Sequence, residues 1–335
     1  MKKLLFLLAL AGSLYFAACS NDFDVAAPWK DIPVVYGLLN IQDSAHYIRV
    51  EKAYLDPDAN ALDLAKIADS LYYDNVTIQL ERVSNGQVFT LQRVDGNLEG
   101  YPRKDGIFAN APNYLYKIDS AAILLKSNEA IRLKITRGDN LPEVTAEAVM
   151  LGTSKLAKPD LTANQRFDFD YDEKSVVSWI PSGNARIFDV ILNINYAEFK
   201  TENPSVIENK SFRWVWAQGV RNENNSFSLS LDKLGLEFYQ ILADNLDAQL
   251  NIQRVFKNID VVIIAGGESL EKYVNVALAN TGITGSQEIP VYTNLSEGRG
   301  VFSSISTLVA KNVPITVTTR DSLRMGIYTK TLNFQ

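Results

Sequence analysis

The chain of 335 residues holds one cysteine, Cys19, and one histidine, His46. One thiol cannot close an intramolecular disulfide, and one imidazole cannot build the His-rich sites that hold zinc, so neither a metal nor a cofactor is expected. A Ser-His-Asp or Cys-His nucleophile would have to be assembled on His46, and no Gly-x-Ser-x-Gly elbow presents a serine to it. His46 follows Ser44-Ala45 at the start of a strand-like run, where an exposed imidazole is ordinary. Asp168-x-Asp170-x-Asp172 opens like a calcium loop. An EF-hand needs Gly at the sixth position and Glu at the twelfth, and Glu173 and Trp179 stand there instead. On a strand these carboxylates would share the solvent face while Phe167, Phe169 and Tyr171 point inward. Asp56, Asp58 and Asn60 fail the same template and read as a turn. Phe212, Trp214 and Trp216 alternate along one strand and so share one face. That face is either a sugar-stacking platform, with Trp214 and Trp216 as the candidate binding residues, or core packing. No pair among the 39 acidic residues is singled out by an apolar setting as a glycosidase pair. A net charge of −6 without a basic cluster argues against nucleic acid as a partner.

Cys19 gains meaning from what precedes it. In MKKLLFLLALAGSLYFAAC, Lys2 and Lys3 form a positive n-region and Leu4 to Ala18 an uncharged apolar run too short to span a hydrocarbon core of roughly 30 Å comfortably. Phe16-Ala17-Ala18-Cys19 resembles the bacterial lipobox, with Phe16 in place of the usual Leu. The pattern predicts a signal peptide over 1–18, acylation of Cys19 and anchorage to outer-membrane lipid. Cleavage there leaves 317 residues and takes the net charge from −6 to −8 with the loss of Lys2 and Lys3. An acidic tether over 19–30, opening Ser20-Asn21-Asp22-Phe23-Asp24, is similar to signals for display on the cell surface in Bacteroidota. Asp-Ser-apolar triplets centred on Ser44, Ser70, Ser120 and Ser322 fit an O-glycosylation sequon of exported proteins in the same bacteria.

The elements that must position these residues are mainly β. A hydrophobic content of 47% excludes a disordered chain, and the mature length predicts two domains, joined near Gly152 to Pro159. An N-terminal β-sandwich is expected over 31–152, with strands near Ile32 to Asn40, Tyr47 to Tyr54, Val76 to Arg82, Val88 to Val94, Ile131 to Ile135 and Val144 to Val149. Asn85-Gly86 marks a hairpin, and Asn60 to Tyr72 reads as one helix capped by Asn60. Over 160–335 a second β-rich domain is expected. Its Trp179-bearing strand, Pro181 turn and long Ala185 to Ile194 strand resemble the opening of fibronectin type III domains, where the Trp is core. Phe212 to Trp216, Phe227 to Leu231 and Val261 to Ala265 read as further strands, followed in the last case by a helix from Ser269 to Gly282. Asp232 to Leu250 reads as a helix, and Val313 to Thr319 and Met325 to Phe334 as final strands.

Near the end stands Thr293-Asn294-Leu295-Ser296-Glu297-Gly298-Arg299-Gly300-Val301-Phe302. This Thr-Asn-x-x-x-Gly-x-Gly-x-Phe segment resembles that of a family of Bacteroidota outer-membrane lipoproteins encoded beside TonB-dependent receptors. The order of parts agrees across the mature chain, from lipobox through the opening Val34-Val35-Tyr36-Gly37 strand to an immunoglobulin-like and then a fibronectin-like half. The resemblance implies a non-enzymatic binding or accessory component of such a receptor or another outer-membrane complex. The glycines are expected to form a tight turn that lets Phe302 enter the core. Arg299 stands where the family often has an uncharged or aromatic residue, so no binding role passes to it. The rival readings are an envelope glycan hydrolase using paired carboxylates and a structural or adhesion protein of the surface.

Overall fold

The computed structural model describes residues 32–53, 61–138, 141–279 and 291–335. Cys19 with the leader and tether, the Asp56 to Asn60 turn and Gly282 lie outside the described residues.

The fold is mainly β and of sandwich type. The first half runs β1 (Ile32–Leu39), β2 (Ala45–Ala53), α1 (Ala61–Ala65), α2 (Ala68–Leu71), β3 (Val76–Arg82), β4 (Val88–Thr90), β5 (Gln92–Asp95), β6 (Tyr114–Asp119), α3 (Ser120–Ile123), β7 (Ala130–Arg137) and β8 (Val144–Val149). The second half runs β9 (Lys155–Lys158), β10 (Lys174–Ile180), β11 (Ile187–Lys200), β12 (Asn203–Arg221), β13 (Leu229–Leu234), α4 (Leu236–Asn245), β14 (Ile252–Gly266), α5 (Glu268–Ala279), β15 (Arg299–Val313) and α6 (Val317–Met325), with a last 3-10 turn at Lys330–Leu332. Period-2 patterning drives the pairing: Ile131, Leu133 and Ile135 of β7 and Val144, Ala146 and Ala148 of β8 are buried on one face while their neighbours face out.

Three sheets result. One of eight strands has the order β12-β11-β14-β15-β1-β2-β6-β5, one of four the order β4-β3-β7-β8, and one of three the order β13-β10-β9. Two cores lie between them. The second-half core gathers Trp179, Phe188, Trp214, Phe238 and Tyr239. The first-half core gathers Val35, Ile48, Leu80, Leu133 and Met150, and also takes Leu295 and Phe302 from the end of the chain.

That borrowing corrects the expected division at 152–160. β15 pairs parallel with β1, from Val34 opposite Arg299 to Leu39 opposite Ser304, and antiparallel with β14, from Gly266 opposite Ile305 to Ile259 opposite Val313. One strand therefore belongs to both halves, and a single sheet runs through both. The glycines of the 293–302 segment make this possible, though not by the tight turn expected of them. Gly298 and Gly300 have φ of +99° and +114°, and a Cβ on either would collide with the carbonyl oxygen of Pro33 or of Val35. They allow two backbones to meet side by side. Phe302 then lies fully buried in the first-half core.

Asn294 completes the join. β14 reaches only as far as Ile305, so the edge of β15 at Phe302 lacks a strand on that side. The Asn294 side chain takes its place, accepting from the Phe302 N–H at 3.0 Å and donating to the Phe302 carbonyl at 2.7 Å. Buried backbone groups need such partners. Beside it, the buried Arg137 guanidinium donates to Glu297 at 3.2 Å and to the Pro142 carbonyl at 3.0 Å, fastening β7 to the same loop.

Other differences have local causes. The strand expected over Val88 to Val94 breaks at Leu91, so β4 pairs with β3 and β5 with β6; buried Leu91 marks the corner where the chain changes sheets. The single helix from Asn60 is two short ones, α1 and α2. The helix from Asp232 begins only after Gly235, because residues through Leu234 pair with β10. The strand expected over Val313 to Thr319 ends at Val313, where Thr316 caps α6 by accepting from the Thr319 N–H at 3.2 Å. Met325 to Phe334 is likewise no strand, since α6 runs to Met325 and a 3-10 turn follows.

The glycine collision can be measured. Gly300→Ala is expected to lower the unfolding free energy by about 3 kcal/mol or more, through strain and collision together. Gly86 also has positive φ, at +71°, but open space around it, so Gly86→Ala is expected to cost only about 1 kcal/mol. Equal losses in denaturant titrations of the two variants would show that the approach to Val35 is not the constraint.

Candidate functional site

His46 is not the exposed imidazole expected at a strand start. It is 2% exposed, and its Nε2 lies 3.2 Å from Ser120 Oγ, with Asp43 close enough to influence its charge. These are the residue types of a nucleophilic triad, but the wiring differs from one. The Ser120 hydroxyl donates to the Asp43 carbonyl oxygen, so its proton is committed to the backbone and Nε2–H donates to Ser120 Oγ. Nδ1 has no partner, so no hydrogen bond to the Asp43 carboxylate orients the ring. A triad needs the reverse arrangement, with the base free to accept from the hydroxyl. Burial lowers the His46 pKa, and the Asp43 charge only partly offsets this. The trio clamps the Asn40 to Ser44 turn onto the end of β6, where the Ser120 N–H also donates to the Ser44 carbonyl at 3.0 Å.

Trp214 and Trp216 are 6% and 4% exposed, which withdraws both from ligand stacking. They belong to the second-half core, where Trp214 packs 4.9 Å from Trp216 and 6.2 Å from Phe238. The sandwich needs an inner face on β12, and large rings fill it. Phe167 and Phe169 are buried in the same core, stacked 5.3 Å apart, but on an irregular segment and not a regular strand. Asp168 accepts from the hydroxyls of Thr316 and Thr319 at 2.8 and 3.2 Å, and so braces the start of α6. Asp170 accepts from the Asp172 N–H at 3.1 Å. Among the described residues no group of three His, Cys, Asp or Glu side chains is placed to hold a metal ion.

Of the four sequon serines only Ser44 is exposed. The Ser120 hydroxyl is occupied as described, and that of Ser70 lies against the carbonyls of Leu64 and Ile67, each at 2.6 Å. Ser322 is half-buried on α6. Local sequence marks the triplets but does not reveal which hydroxyls the fold occupies.

Two surface hollows bring carboxylates together. One, at the turn end of the β11–β12 hairpin, includes Glu198, Glu208 and Phe199. Burial pushes the Glu198 carboxyl up, but bonds from Lys210 and from Arg254, the latter at 2.7 Å, outweigh it and hold the pKa below the usual range. The other, where β14 turns into α5, includes Glu147 and Glu268. Lys272 lowers Glu268 by a bond of 2.5 Å. A glycosidase acid needs its pKa raised, which is the opposite of what Glu198 and Glu268 experience. The second hollow has no local mark in the sequence, because its lining residues lie far apart along the chain.

No protein-family model matches the chain, and no curated protein matches it. Among solved structures, the C-terminal globular domain of an oligosaccharyltransferase from Pyrococcus abyssi is similar over 71% of this chain, at 10% identity and a TM-score of 0.24. The match covers 46% of that protein's chain, so this chain spans less than half of its length.

The buried His46 makes stability depend on pH with a definite sign. Its folded pKa lies below the unfolded value near 6.5, so the unfolded state binds the proton first, and stability falls as pH drops below about 6.5. Asp43, raised by burial, acts in the opposite direction and at lower pH. Denaturant titrations between pH 7.5 and 5.5 are expected to show a slope of up to about 1.4 kcal/mol per pH unit that His46→Gln removes. An unchanged slope in the variant would mean that His46 is not the group responsible.

Proposed function

We propose that the chain is a lipid-anchored protein of the bacterial outer membrane that acts by binding, as an accessory of a TonB-dependent receptor or of another envelope complex. The observation that carries this reading is the N-terminal order of Lys2-Lys3, an uncharged apolar run and Phe16-Ala17-Ala18-Cys19. With Cys19 acylated, twelve residues separate the anchor from β1, which begins at Ile32. Fully extended, they reach about 45 Å. The folded body would thus work close to the membrane surface, where a receptor is within reach. No helix among the described residues is long and apolar enough to cross a membrane.

A protruding surface supports a role in contact. Residues 203–211 of β12 are exposed on an edge strand, with Val206 and Ile207 more than half exposed among polar neighbours. Apolar side chains on an unpaired edge suit another protein as partner. The acidic balance and the accessible Ser44 fit a surface position.

Two measurements test the reading. Cys19→Ser is expected to move the protein from the detergent phase to the aqueous phase on phase partitioning of native cells. Crosslinking in those cells is expected to recover the wild type with an outer-membrane receptor or another envelope protein. Retention of the variant in the detergent phase would overturn the anchor, and recovery of the wild type alone would overturn the accessory role.

A further inference from the structure

The turn from β14 into α5 borders a pocket of about 170 Å³ bounded by Arg186, Gly267, Ser269 and Ser303, with Glu147 and Glu268 at its wall. It lies where the two halves meet, beside the part of β15 that β14 no longer covers. Three independent features converge on it.

The first is the start of α5, a helix of twelve residues. Gly267 before it has no side chain to serve as a cap, and the N–H groups of Glu268, Ser269 and Leu270 find no acceptor among the described residues. Such a terminus carries partial positive charge and unused donors. Ser303 supplies the second feature. It is 2% exposed, and its hydroxyl has no hydrogen-bond partner among the described residues. Its Oγ lies 3.2 Å from the position a Cβ would take on Gly267, so it faces this turn. A hydroxyl that opens onto a pocket and bonds to no described residue is free to bond an occupant. The third is Arg186, half-buried on the pocket wall, whose guanidinium makes no ion pair or hydrogen bond among the described residues.

The carboxylates at the wall are each held first by another cation, and Glu268 also feels the nearby Arg186 charge, which it balances only in part. Glu268 accepts from Lys272 at 2.5 Å and Glu147 from Arg132 at 2.6 Å. What remains unpaired is a set of donors around a space the size of one small polar group.

We propose that this pocket binds a compact oxyanion, a carboxylate or a phosphate, held by Arg186, the Ser303 hydroxyl and the α5 N–H groups. The site goes beyond the reading above and does not depend on the lipid anchor. Its position between first-half and second-half segments means that an occupant touches both, and junctions of this kind commonly hold ligands. Bound there, the anion would add to the join that β15 makes between β1 and β14.

Nitrogen-15 chemical-shift titration of the purified protein tests this, with sodium phosphate and sodium acetate in separate arms at constant ionic strength. Saturable shifts of the Gly267 to Leu270 amides are expected in at least one arm, and the arm that saturates at lower concentration distinguishes phosphate from carboxylate. Arg186→Gln is expected to weaken binding about tenfold or more and Ser303→Ala severalfold, while Arg213→Gln, on the exposed face of β12, leaves it unchanged. Arg186→Lys keeps the charge without the fork and is expected to fall between Arg186→Gln and the wild type. Shifts that fail to saturate in both arms, or that are as strong in Arg186→Gln as in the wild type, would overturn the proposal.

Discussion

The contact on which the rest of the architecture depends is the parallel pairing of β1 with β15. Parallel neighbours require a crossover, and here nearly the whole chain serves as one: β1 opens the described fold, and its partner arrives at Arg299. Such a long-range pairing forms only if the two backbones can approach without obstruction. Gly298 and Gly300 remove the obstruction, since any side chain at either would strike the carbonyl of Pro33 or Val35. Once paired, β15 carries Phe302 into one core and Ala310 and Val313 into the other. Neither core is complete without that strand.

Polar groups at the join follow from the same geometry. Where β14 leaves the sheet, β15 would expose unpaired amides, and Asn294 supplies both missing partners at Phe302. Its Nδ2 also lies 3.2 Å from Ser269 Oγ at the start of α5. Arg137 and Glu297 add a charge pair, nearly closed off on the arginine side, that ties β7 to the loop before β15. Breaking one partner of a buried pair is costly, so such a pair disfavours alternative placements of the loop. A second buried pair, Arg254 with Glu198, fastens β14 to β11 in the other half. Fixed charges and amides thus specify register in a fold whose strands would otherwise offer many apolar alternatives.

Much of this was legible before the structure. Alternation in β3, β7 and β8 marked the inner faces, Trp179 read as core, and the Thr-Asn-x-x-x-Gly-x-Gly-x-Phe segment stood out with Phe302 as its buried end. What sequence patterns could not convey was distance along the chain. The glycines read as a turn because their true neighbour, Pro33 to Val35, lies more than 260 residues away. The 152–160 join read as a clean boundary for the same reason. His46 looked exposed because local context omits Ser120 and Asp43, and Thr316 turned an expected strand into the cap of a helix. The hollow at α5 had no local signature, since Arg186, Gly267 and Ser303 come together only when the sheet is complete. At the level of function, the proposed membrane anchorage rests on the N-terminal motif alone, whereas the described fold contributes the exposed β12 edge.

Whether β15 unites the two halves is tested most directly by native-state hydrogen exchange followed residue by residue. If it does, the amides of β1 and of residues 301–304 exchange only with global unfolding, in step with those of the β11–β14 pair. Exchange of β1 and residues 301–304 at markedly lower free energy, while β11 and β14 stay protected, would contradict it and describe two independent halves with a loosely docked strand between them.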